Sequence, residues 1–151
     1  IGRLFGGTAV TMGLSGPTGG SRFKVFSFDP YPPPFNDRLL EIYGVTDQVV
    51  LVDTTSESGA MFWASAQMPA VELLHVDGDH RYEAVVKDIR LWEPLLADSA
   101  RIMFDDYGWN AHKLAGSTRA IFDEVISRSD RWGTIDCLGH SLTAIKRAGA
   151  S

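Results

Sequence analysis

The chain has 151 residues, 44% hydrophobic and 22% charged, enough for one globular domain with its own core and short for two. Its 14 Lys and Arg against 19 Asp and Glu leave a net charge of −5, with no basic run or stripe, which argues against nucleic acid or an anionic membrane as a partner. No apolar run reaches the ~18–20 residues of a membrane-spanning helix. The single cysteine, Cys137, cannot form an internal disulfide, so the cytoplasm is the expected compartment.

The chain opens on Ile1-Gly2, the pattern of a strand entering a glycine turn, and a first strand truncated at this point is expected. Gly2 to Gly20 is rich in Gly, Ser and Thr, with a short helix expected from Gly7 to Leu14. Phe23 to Phe28 reads as a strand closed by Asp29-Pro30. Residues 31–34, Tyr-Pro-Pro-Pro, must form a surface loop, because proline lacks an N–H and restricts the residue before it. A helix over Asp37–Tyr43, stopped by Gly44, leads to a β-branched run from Gln48 to Val52 that ends in Asp53. Glu57 to Gln67 is expected to be helical, and Val71 to Val76 to be a strand ending in Asp77.

The clearest helix begins at Tyr82. Tyr82, Val85, Ile89, Trp92 and Leu96 share one face, and Pro94 is placed to kink the helix or end it near Glu93. Arg101 to Phe104 reads as a further strand, ending in Asp105. Ser117 to Arg128 is expected to be helical with Ile121, Phe122, Val125 and Ile126 inward. Arg131–Leu138 and His140–Arg147, separated only by Gly139, should pair antiparallel, since no crossover helix fits between them. Alternating helices and continuous apolar strands define an α/β sandwich with a mostly parallel sheet, a C-terminal antiparallel hairpin and one domain over residues 1–151.

Ligands of such sheets bind beyond the carboxyl ends of the strands. Four strands here end in Asp: Asp29, Asp53, Asp77 and Asp105. Single acids in these places cap helices or start turns, but four in register make one acidic edge. Like charges that crowd raise each other's pKa unless a positive charge joins them, so the pattern calls for a metal or a cationic cofactor. Asp77, Asp105 and Asp106 are hard oxygen donors suited to Mg²⁺, Ca²⁺ or Mn²⁺. His80, three residues past Asp77, is placed to act as a general base. His75, inside a strand, reads as a core residue, and His112 and His140 carry no assignment. The glycines of residues 1–8 would let backbone approach a ligand, and Asp29 stands where a ribose diol would be held. Tyr107 and Trp109 are candidates to wall a substrate pocket and Met61, Phe62 and Trp63 to flank an aromatic base, with core packing as the alternative for each.

Asp29, Asp77-Gly78-Asp79-His80 and Asp105-Asp106-Tyr107, in this order, resemble the class I S-adenosylmethionine-dependent methyltransferases, nearest to the metal-dependent small-molecule O-methyltransferases of the macrocin-type sugar and antibiotic-pathway group. The resemblance implies a Rossmann-like fold and two cofactors, S-adenosylmethionine and Mg²⁺ or another hard divalent cation. It implies that Gly2, Gly6 and Gly7 face the methionine part of the methyl donor, and that Asp29 holds the ribose. Asp53 to Ser56 would border the adenine, and Asp77 would close the cofactor site. Asp77, Asp105 and Asp106 would ligate the metal, and His80 would take the proton of the accepting hydroxyl. The implied substrate is a small hydroxylated metabolite such as a sugar, and the sheet edges allow a homodimer. Two other readings stand beside it. One is a non-catalytic methyltransferase-fold fragment serving as an interaction or assembly module. The other is a nicotinamide-dependent oxidoreductase, which would share the acid at Asp29 but lacks the G-x-G-x-x-G turn.

Overall fold

Strand and helix alternate as the hydrophobic pattern dictates. The computed structural model describes residues 1–2, 6–16, 23–107 and 115–149. Their packing falls into two compact units, Ile1–Gly59 and Ala60–Ser151.

In the first unit, α1 (Gly7–Leu14) starts behind Gly6, whose φ of 78° is a left-handed conformation that suits glycine. β1 (Val25–Phe28) pairs in parallel with β2 (Val49–Val52), Val25 opposite Val49 and Phe28 opposite Val52. A parallel pair needs a crossover, and the proline loop with α2 (Asn36–Tyr43) supplies it. Gly44, at φ 66°, stops α2, and its N–H donates to the carbonyls of Leu40 and Glu41. Ala9, Val10, Leu40, Val45 and Val49 form the core. Gly13 is required there, because a Cβ on it would lie 2.8 Å from the Val49 side chain. The strand at Phe23 and the helix at Asp37 are thus found within two residues of their expected starts.

The second unit takes in most of α3 (Ser56–Ser65), then β3 (Val71–Val76), α4 (Tyr82–Trp92), β4 (Leu96–Phe104), α5 (Ala115–Ile121), β5 (Trp132–Leu138) and β6 (Ser141–Lys146). Its sheet has the order β3-β4-β6-β5, parallel between β3 and β4 and antiparallel across the last two pairings. The expected hairpin is therefore present, turning at Gly139 with φ 61°. Ile102, Phe104, Leu142 and Ala144 of the sheet are buried with Ile89 and Trp92 of α4 and Ile121 and Val125 from the α5 region. Trp63 packs on Trp92 with ring centroids 6.0 Å apart and donates its indole N–H to the Pro69 carbonyl.

Pro94 falls in a 3-10 turn at Glu93–Leu95 and ends α4 at Trp92, one of the two outcomes expected of it. Three other details depart from the expected pattern. β4 begins at Leu96 rather than Arg101, through an irregular register that includes Ser99 at φ 63°. α5 widens into a π turn over Phe122–Ile126, which changes the phase of the helix and leaves Phe122 53% exposed instead of inward. β5, the outer strand, carries its own irregularity between Gly133 and Asp136, with Thr134 at φ 46°.

Two ionic groupings around buried carboxylates brace this unit. Lys146, at the end of β6, donates to the carbonyls of Glu93 and Leu96, each at 3.1 Å, while Arg131 holds the Glu93 carboxylate at 2.8 and 2.9 Å. The Glu124 carboxylate, from the π turn, accepts from Arg90 at 2.6 Å and from Arg128 at 3.1 Å.

Candidate active site

The acids gather because β3 and β4 run in parallel and end together. The Asp105 N–H donates to the Val76 carbonyl at 3.2 Å, carrying the ladder one step past Phe104 and setting Asp105 beside the end of β3. One side-chain donor atom each from Asp77, His80 and Asp106 lies within 4.8 Å of the others, and so does one each from His75, Asp77 and Asp105. His80 Nε2 is 3.7 Å from Asp106 Oδ2. The predicted acids and the predicted base of the second unit therefore converge.

Local chemistry holds this cluster in shape. Asp106 adopts φ 57°, a left-handed backbone that Asp tolerates better than most residues, and its N–H donates to Asp105 Oδ1 at 3.0 Å. The Ser141 hydroxyl donates to the same oxygen at 2.9 Å. Asp79 is committed elsewhere. It accepts from the Arg81 backbone N–H at 3.0 Å and from its guanidinium at 2.8 Å, and these bonds hold its carboxyl below the usual carboxylate range.

Electrostatics marks Asp77 as the crowded member. Burial, then the neighbouring Asp105 carboxylate, pushes its carboxyl up to about 6. Burial drives the His75 imidazole down to about 4, with Asp105 pulling the other way. Partly desolvated acids of this kind are stabilised by a cation. Oxygen donors with an adjacent imidazole, half-exposed and convergent, fit a hard divalent ion. His75 was read from sequence as a core residue. It is buried as expected, yet it also stands within ligand distance of two of the acids, which a strand position without its neighbours cannot reveal. Ser141, remote in sequence, left no signal at all.

The first unit arranges its own candidates at the carboxyl ends of β1 and β2. The Gly2 N–H donates to the Phe28 carbonyl at 3.0 Å, so the glycine turn begins beside the end of β1. The Asp29 N–H donates to the Val52 carbonyl, and Asp29 Oδ1 accepts from the Tyr31 N–H at 2.8 Å. Asp53 follows the partner strand and is exposed, and Ser56 opens α3 half-buried. The Thr55 Oγ1 accepts from the Ser58 N–H at 3.1 Å and so caps the start of α3. Gly6 and Gly7 form the start of α1, with Gly7 exposed.

Of the aromatic candidates, Trp63 is core, Met61 and Phe62 are 65% and 58% exposed, and Tyr107 is half-buried beside the acid pair. Trp109 and His112 lie outside the described residues.

An acid-ended parallel sheet of this kind is the framework of the class I S-adenosylmethionine-dependent methyltransferases. The chain belongs to the methyltransferase-domain family, whose model matches residues 1–107. No curated protein matches the sequence. Among solved structures it is similar to an O-methyltransferase from Bacillus cereus in complex with SAH, at 13% identity and TM-score 0.76, over 97% of this chain and 72% of that one. It is also similar to CalS11, a TDP-rhamnose 3'-O-methyltransferase of calicheamicin biosynthesis, at 19% identity and TM-score 0.65, over 98% and 70%. A third is the MycE methyltransferase of the mycinamycin pathway in complex with Mg, SAH and mycinamycin VI, at 10% identity and TM-score 0.58, over 82% and 36%. At such identities the likeness establishes the α/β fold with its C-terminal antiparallel strands.

Proposed function

We propose that the chain is an S-adenosylmethionine-dependent O-methyltransferase that uses a divalent cation, in the first place Mg²⁺, to methylate a hydroxyl of a small metabolite, with a sugar as the leading class. The observation that carries the reading is the convergence of Asp77, His80 and Asp106 within 4.8 Å beside Asp105. The family supports the methyl donor. The similar proteins whose names include Mg and SAH, or a nucleotide sugar, support the metal and the acceptor class.

The assignments follow. Asp77, Asp105 and Asp106 would hold the cation, which lowers the pKa of an acceptor hydroxyl bound to it. His80 would take the hydroxyl proton on its imidazole, while the donor would supply the methyl group from its sulfonium and leave as the demethylated thioether. Asp106 Oδ2 lies 3.7 Å from His80 Nε2, so the base and the acids share one edge of the sheet. Gly2, Gly6 and Gly7 would meet the methionine portion of the donor, Asp29 the ribose, and Asp53 and Ser56 the adenine. The exposed thiol of Cys137 suits a reducing cytoplasm. Among the described residues no helix is long and apolar enough to cross a membrane. A homodimer is the proposed assembly, with the exposed Ile135 and Leu138 of β5 as apolar surface for it.

Calorimetry tests the reading. S-adenosylmethionine binds with a measurable heat, and Mg²⁺ enables methyl transfer to hydroxylated acceptors in a radiolabel assay. A folded protein that binds neither the donor nor its demethylated product sinks the proposal.

A further inference from the structure

We propose that Gly116 is a positioning residue for His80, a proposal that rests on His80 being the base. A Cβ built on Gly116 would lie 2.7 Å from the Tyr82 amide nitrogen, 3.0 Å from the His80 carbonyl oxygen and 3.3 Å from the Arg81 carbonyl carbon. All three are backbone atoms, so no rotamer change relieves the contact. The first turn of α5 is thus in backbone-to-backbone contact with the three residues that lead from the acidic cluster into α4. On the other side, the His80 ring faces Asp106.

The junction is latched away from the site as well. The Tyr82 hydroxyl donates to Asp123 Oδ2 at 3.1 Å, the Arg119 guanidinium lies 5.3 Å from the Tyr82 ring centroid, and Arg90 bonds Glu124 at 2.6 Å. Each contact joins α4 to the α5 region, so the helix that follows β4 and its acids supports the loop that follows β3. Ser117, next in sequence, is 2% exposed, and its hydroxyl has no hydrogen-bond partner among the described residues. It borders a cavity of about 10 Å³ shared with His80 and Asp105, room for about one water. Packing this close leaves the backbone at residues 80–82 little freedom behind the base. A side chain at 116 must push that backbone and α5 apart, which shifts the residue that carries the base, and displacements near 1 Å can cost about 100-fold in rate.

The experiment uses the whole chain labelled with ¹⁵N-histidine, with the His80 ring signals assigned by His80→Gln. Gly116→Ala is expected to move the His80 ring signals and to lower kcat by about tenfold or more, with KM for S-adenosylmethionine within about threefold. Tyr82→Phe loosens the same junction from the opposite side and shifts the His80 signals, so the test survives a Gly116→Ala protein that does not fold. Unmoved His80 signals in folded Gly116→Ala, or in Tyr82→Phe where only that variant folds, overturn the proposal. Shifted signals in a protein whose wild type transfers no methyl group support the brace and overturn the functional reading instead.

Discussion

The Ser141 hydroxyl donates to Asp105 Oδ1 at 2.9 Å, tying the start of β6 to an acid at the end of β4. The same oxygen accepts the Asp106 N–H. Both bonds orient the Asp105 carboxylate, and groups that orient a ligand are worth about 10–100-fold in metal affinity. Ser141→Ala is expected to weaken Mn²⁺ binding by about tenfold, read by electron paramagnetic resonance, while the fold is retained. An unchanged Mn²⁺ affinity would separate Ser141 from the cation site.

His80→Ala should lower turnover by about 10²–10⁴-fold and leave the affinity for S-adenosylmethionine nearly unchanged. Asp105→Ala should instead abolish the dependence on added cation. Titration calorimetry and initial rates over a range of Mg²⁺ separate the two effects. Equal losses of donor affinity and rate in His80→Ala would remove it from the role of base.

Asp77 and His75 give stability opposite pH dependences in chelator-treated protein. The folded-state pKa of Asp77 is raised from 3.8 to about 6, so charging it costs stability as pH rises from about 4 through 6. Asp77→Asn should therefore stabilise the protein at pH 7 and lose that advantage by pH 4. His75 is lowered from 6.5 to about 4, so the unfolded chain gains its proton first and stability falls as pH drops through that range. His75→Gln should flatten this acid limb. Urea titrations at pH 4, 5, 6 and 7 measure both slopes, and a pH-independent gain from Asp77→Asn would contradict the electrostatic account.

Lys146 is buried and donates to two carbonyls, those of Glu93 and Leu96. Lys146→Met keeps the length and apolar stem but leaves both acceptors without this donor. The expected loss is about 1–3 kcal/mol of unfolding free energy, measured by urea denaturation. A neutral or stabilising result would mean that the carbonyls find water.

Much of this architecture was legible in the residues. Strand ends such as Val76 and Phe104 fell where an acid signal said they would, because the carboxylate that follows needs solvent or a partner, which the sheet edge supplies. Asp77, His80 and Asp106 could be grouped from strand order alone, since parallel neighbours end at the same edge. Ser141 and Gly116 could not. Their roles depend on which backbone lies opposite them, and no local pattern encodes that. The outward turn of Phe122 was hidden for a different reason. A π turn adds a residue without changing composition, so a helical period carried through Ile121 continues past the point where the helix widens. The alternation of β6 sends Lys146 inward with Leu142 and Ala144, a burial that its charge alone does not announce.

The broken register of β5 has a consequence for how molecules meet. An outer strand with an uninterrupted row of amides can be copied by the next molecule, and the next, without end. Thr134, in a left-handed turn between Gly133 and Asp136, interrupts that row after two residues. A neighbour arriving at this border finds protruding Ile135 and Leu138 side chains rather than a template. The interruption works against open-ended addition of strands at this border.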